Sequence, residues 1–202
     1  MKLKCKMIIN LFTAAAVPAA WLSMVYRGGG TLSSRGFWSL KYFTVLSNLF
    51  CGCSALLWLF LRKNRSHNEL TGFLKFSSSM AVFITFLVVL FFLGPLFGFH
   101  AMYAASNLWF HLIIPLTAVT EFIFFPEYEP GKKEIMLSVI PLLLYGTAYM
   151  LNILINGIER NDWYGFGLWG IPSGILMFLI LCLIHLLLAL MLSRLSRLLR
   201  IS

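Results

Sequence analysis

With 202 residues the chain has the length of one domain, yet 60% of it is hydrophobic, only 11% is charged, and the mean hydropathy is +0.87. A soluble domain carries about 25% charged residues, so no aqueous fold hides this much apolar surface and the bilayer is the expected solvent. The net charge of +9 does not point to nucleic acid, because the basic residues stand in short clusters between apolar runs, as topology signals do.

In hydrocarbon the backbone must satisfy its own hydrogen bonds, which leaves helices or closed barrels. Long apolar runs without alternation choose helices. Windows of about 20 apolar residues predict spans near 7–26, 39–61, 73–98, 105–126, 135–157 and 172–193. The expected fold is therefore all-α, a polytopic bundle of six transmembrane helices making one integral membrane domain over residues 1–202. The separators are short and polar: Arg27-Gly28-Gly29-Gly30, Arg62-Lys63-Asn64-Arg65, Pro130-Gly131-Lys132-Lys133 and Glu159-Arg160-Asn161-Asp162.

The first span has a second reading. Lys2, Lys4 and Lys6, an apolar stretch and Ala16-Val17-Pro18-Ala19-Ala20 also fit a cleavable signal peptide. The apolar run continues through Trp21 to Tyr26, long for such a segment, so a retained helix is expected. Alternating the six spans puts Lys2, Lys4, Lys6, Arg62, Lys63, Arg65, Lys75, Lys132, Lys133, Arg194, Arg197 and Arg200 on one side. Only Arg27, Arg35, Lys41 and Arg160 fall on the other. By the positive-inside rule both termini are expected in the cytoplasm. Cys5, Cys51, Cys53 and Cys182 read as small hydrophobes rather than a disulfide or zinc framework.

Polar side chains inside a membrane are costly, so their positions inform most. In the second span Thr44 is expected about 8 Å below the outer end, with Lys41, Ser47 and Asn48 at i−3, i+3 and i+4 on its face. In the fourth, His111 is expected about 10 Å deep, with Asn107 at i−4 beside it. In the fifth, Tyr145, Tyr149, Asn152 and Asn156 form one stripe leading to Asp162, Trp163 and Tyr164 in the last external loop.

Taken singly these residues have plain structural readings. Thr, Ser and Asn join membrane helices by hydrogen bonds, and tyrosines line the interfaces. Their gathering in one half of the membrane is what marks a site. Glu121, the one carboxylate within a span, is expected to be protonated or paired near the cytoplasmic face. His185 lies near the middle of the sixth span, and His67 and His100 fall in loops. The chain has no P-loop, GxGxxG, HExxH or GxSxG, and neither a cofactor nor a metal is expected.

A threonine hydroxyl becomes a nucleophile when a base takes its proton, and a neutral imidazole can do so and return it to the leaving group. Asn107, Asn48, Asn152 or Lys41 could donate to an oxyanion, and Asp162 could orient the imidazole if its loop folds inward. At carbonyl depth in the outer leaflet such a group suits a lipid ester.

Lys41-Tyr42-Phe43-Thr44-Val45-Leu46-Ser47-Asn48-Leu49 resembles the early motif of the androgen-induced intramembrane lipid hydrolases and their microbial relatives. His111-Leu112-Ile113-Ile114-Pro115, followed by Glu121-Phe122, resembles that family's histidine motif, and Trp163-Tyr164 its aromatic pair before the last helix. The likeness runs from about residue 38 to 190. It implies a threonine hydrolase with Thr44 as nucleophile and His111 as base, a lipid ester as substrate and membrane lipids as surroundings. A bacterial cytoplasmic membrane is the expected location. Two departures from the animal pattern, Asn48 near where animal members carry an acidic residue and a histidine-to-proline spacing closer to the microbial one, bear on the substrate more than on the catalytic pair. Two other classes compete: a small transporter or lipid-binding protein, against which the lack of paired half-sequences argues, and a haem protein using His111 and His185. The oligomeric state is left open.

Overall fold

The computed structural model describes residues 2–27, 36–63 and 68–201. Six helices are long and apolar enough to cross a membrane: α1 (Lys2–Tyr26), α2 (Phe43–Leu61), α3 (Asn68–Phe97), α4 (Ser106–Phe124), α5 (Lys132–Asn156) and α6 (Ile171–Leu199). Among the described residues there is no strand. The protein is an integral, multi-pass, all-α membrane protein. Gly28, Gly29, Gly30, Arg35, Asn64, Arg65 and His67 lie outside the described residues, as do the side chains of Arg27 and Arg200.

The spans follow the expected order, with shifted ends. α2 starts at Phe43 rather than at 39, because Tyr42 takes an extended conformation (φ −89°, ψ 131°) and Gly36–Lys41 winds as a separate 3₁₀ turn. Lys41 therefore does not share a helical face with Thr44. α3 and α4 each contain a π turn, Val89–Leu93 and Trp109–Ile113, and each turn is followed closely by a proline, Pro95 and Pro115. Proline lacks the N–H that would continue the ordinary ladder. The preceding amides reach one residue further back instead, Gly94 N–H to the Val89 carbonyl and Ile114 N–H to that of Trp109.

Packing sorts the helices. About half of α2 and α4 is buried (50% and 56%), against 17% of α6, whose leucines face outward, as hydrocarbon allows. α1 buries Lys6, Asn10, Thr13, Val17, Ala20 and Met24, spaced four and three apart, which is a narrow seam on one face. Gly52 of α2 lets that seam come close: a Cβ there would stand 2.9 Å from Val17 Cβ. The half of the seam nearest the termini is polar, and it meets the charged residues described below.

Candidate functional site

Thr44 lies in the first turn of α2, where free backbone N–H groups point out of the helix. Tyr42 offers no side-chain cap. The cap comes from elsewhere: the Tyr164 hydroxyl, in the loop before α6, accepts from Phe43 N–H at 2.7 Å. Burial raises the Tyr164 phenol well above its usual range, so it remains a neutral donor and acceptor. The Tyr145 hydroxyl gives its one proton to the Lys41 carbonyl (2.6 Å), accepts from Trp163 Nε1 (3.1 Å) and lies 3.4 Å from Tyr164 Oη. The Tyr164 proton is thereby left for that long contact or for the space beside Thr44. Removing the cap in Tyr164→Phe is expected to cost about 1 kcal/mol, seen as a lower thermal midpoint in detergent with helicity unchanged.

The space beside Thr44 is a small cavity of about 40 Å³ between α2, α3, α5 and α6. Its polar edge is Thr44, Thr85, Tyr145, Tyr149 and Tyr164; the remaining wall is apolar. Among the described residues the Thr44 hydroxyl has no hydrogen-bond partner, whereas its carbonyl accepts from Ser47 Oγ (3.2 Å) and Asn48 Nδ2 (2.7 Å). Gly146 shapes the far wall, since a Cβ there would fall 2.0 Å from the Phe178 ring.

His111 lies in the π turn of α4 and is buried. Its Nδ1 is 2.6 Å from the Met102 carbonyl, which can only accept. Nδ1 must therefore carry the proton, and Nε2 keeps the lone pair that a base needs. The chain returns from Met102 into α4 through Ala105, whose φ of 49° is uncommon for a residue with a side chain. Asn48 ties α2 to α4 by donating to the Phe110 carbonyl at 3.1 Å, next to His111 and one turn from Thr44. Both donor positions of its amide are thus used on carbonyls, and Asn48 Oδ1 is a buried acceptor without a donor among the described residues. Among the described residues no hydrogen bond joins Thr44 to His111, and His111 does not line the Thr44 cavity.

The other candidates divide. Ser47 faces Thr85 of α3, the two hydroxyls 3.2 Å apart. Asn107 donates to the Ala101 carbonyl at 3.2 Å and supports the turn that carries Met102. Tyr149 lines the cavity and donates to Asp162. Asp162 does not orient His111. Its Oδ1 also accepts from Phe166 N–H (3.0 Å) and its Oδ2 from Gly167 N–H (2.7 Å), which folds its own loop across the cavity. Asn152 and Asn156 continue the expected stripe past the cavity: Asn152 donates to Asn161 Oδ1 and Asn156 to Asn152 Oδ1, tying off the exposed end of α5. The Lys41 ammonium stands 5.1 Å from the ring centres of Tyr42 and Trp163, a cation–π clamp on the aromatic lid rather than a donor into the cavity.

A second polar group lies at the end of the bundle that carries the termini. Glu121 accepts from Lys75 Nζ at 2.6 Å and from Asn10 Nδ2 at 2.7 Å. Lys6 bonds Glu127 (3.0 Å) and the Phe125 carbonyl (3.1 Å), and lies 5.1 Å from the Trp58 ring centre. Sequence reasoning found Glu121 but counted Lys75 and Lys6 as topology charges and passed over Asn10. The signal for Lys75 was its place inside the predicted third span, 73–98. His185 belongs to a third contact, its Nε2 3.1 Å from Ser138 Oγ.

No family model, no curated protein and no solved structure matches the chain.

Proposed function

We propose that this protein is an intramembrane hydrolase of lipid esters, with Thr44 as nucleophile and His111 as its base, in a bacterial cytoplasmic membrane with both termini inside. One observation carries the reading: a Thr44 hydroxyl without a partner among the described residues, in a helix's first turn, lies at a largely apolar cavity within the helix bundle. Two others support it. The Met102 carbonyl holds His111 in the tautomer that leaves Nε2 basic, and Asn48 fastens the two helices together one turn from Thr44. Oγ1 and Nε2 must come within about 3 Å for proton transfer, and such contacts are commonly looser without substrate.

In the proposed reaction Thr44 Oγ1 attacks the ester carbonyl carbon as its proton passes to His111 Nε2. Collapse of the oxyanion breaks the bond to the alcohol oxygen, which leaves with that proton. Water then attacks the acyl-threonine, giving its proton to Nε2, and the acid departs as Thr44 regains a proton. The neutral Tyr164 hydroxyl is the donor best suited to the oxyanion.

The test is labelling of detergent-purified protein by an alkyl fluorophosphonate, followed by peptide mapping. The expected result is an adduct on Thr44 that His111→Gln reduces by about 10²-fold or more. Folded wild-type protein that never labels at Thr44 overturns the reading. A lipid-binding protein without turnover is the second reading, favoured by the position of His111 outside the cavity lining. Stoichiometric lipid binding without release of acid would select it.

A further inference from the structure

From the side facing the bilayer, α3 and α6 diverge. Near the termini they are held together by a cluster containing Phe76 and Met80 of α3 and Ala189 and Leu192 of α6. Toward the other end the Phe178 ring of α6 lies over Gly146 of α5 instead, and a wedge of about 370 Å³ opens between α3 and α6. Leu87, Phe91 and Phe92 form one side of this wedge, and Met177, Ile180 and Ile184 the other. Phe91 is 74% exposed and Ile180 41%, so the mouth faces hydrocarbon. The π turn at Val89–Leu93 widens α3 at this level.

The wedge is not an isolated surface groove. Ile84, Val88, Phe166 and Leu181 line both it and the Thr44 cavity, so the two share a wall. The route from water is obstructed, because Tyr164 and Phe166 are buried over the cavity and Asp162 pins their loop. Polarity is also graded. Thr44, Thr85, Tyr145, Tyr149 and Tyr164 line only the inner cavity, while the wedge is lined by apolar side chains alone.

We infer that the gap between α3 and α6 is a lateral port that takes one long alkyl tail from the bilayer, the polar end of the amphiphile lying among the hydroxyls and the tail crossing the Val88–Leu181 wall into the lipid. An alkyl chain fits the wedge because burial there needs no hydrogen bond, whereas the inner cavity offers the Thr44 and Tyr164 hydroxyls to an ester or carboxyl group. Only the chemistry at the polar end rests on the hydrolase reading; the tail path stands apart from it.

The experiment is photo-crosslinking of the full chain in lipid nanodiscs with a palmitate analogue bearing a mid-chain diazirine, with adducts mapped by mass spectrometry. Adducts are expected on Val88, Phe166 and Leu181, in addition to outward residues such as Leu144 and Ile155. Leu181→Trp is expected to lower the inner adducts about tenfold or more, because its ring takes the volume the tail must fill, and to leave the outward ones unchanged. Ile184→Trp, at the half-exposed mouth, serves as the variant least able to disturb folding. Inner residues free of adducts in the wild type, or inner adducts indifferent to both tryptophans in folded protein, overturn the port. Inner adducts in a protein whose Thr44 never reacts with a fluorophosphonate keep the port and remove the hydrolase.

Discussion

Replacing Thr44 by alanine is expected to reduce ester turnover by a factor on the order of 10³ to 10⁶, the range for losing a nucleophile outright. The effect on folding should stay within about 1 kcal/mol, because the hydroxyl has no hydrogen-bond partner among the described residues and stands at the wall of an existing cavity. Thr44→Val, which keeps the branched shape, should be as inactive as Thr44→Ala, and Thr44→Ser should retain part of the activity. The contrast matters because a structural threonine behaves the other way: shape would be what counts, and valine would substitute for it. The measurement is release of acid from a long-chain ester by purified protein, alongside thermal unfolding of each variant. Turnover that survives in Thr44→Ala removes the threonine mechanism.

Glu121→Gln is expected to produce the largest loss of stability, about 3–5 kcal/mol, the cost of leaving a buried charge without its partner. The side chains of Lys75 and Glu121 are 10% and 2% exposed, so water cannot replace either. Asn10 Nδ2 would also lose its charge-assisted bond to Glu121 Oε1. The paired variant Lys75→Met with Glu121→Leu should recover most of the loss, because it removes both charges rather than stranding one. Unfolding midpoints in one detergent, for the single and the double variants, give the comparison. A single variant as stable as wild type would mean that Lys75 finds another partner or water.

These contrasting roles bear on how the chain is organised. The end of the bundle with the termini is joined by ion pairs across α1, α3 and α4 and carries the strongest bonds. The other end has a hydroxyl-lined cavity and a loop held across it by Asp162, Tyr149 and Tyr164. A rigid base with a more openable top suits a protein that must admit a lipid without coming apart.

Composition alone determined that the helices form and that they lie in a membrane, since a chain with 60% hydrophobic residues has no other solvent available. Apolar length determined their number, and Glu121 stood out as a carboxylate that must be neutralised. Tertiary structure decided the partners. Asp162, two positions before Tyr164, turned to its own loop while Tyr164 reached the start of α2. Asn152 and Asn156 share a helical stripe with Tyr149 yet bond Asn161 and each other beyond the cavity. Lys75, one basic residue among 16, closed a buried ion pair. Periodicity tells which residues share a face of one helix; the rotation, tilt and π turns that choose the neighbouring face follow from how all six helices pack together.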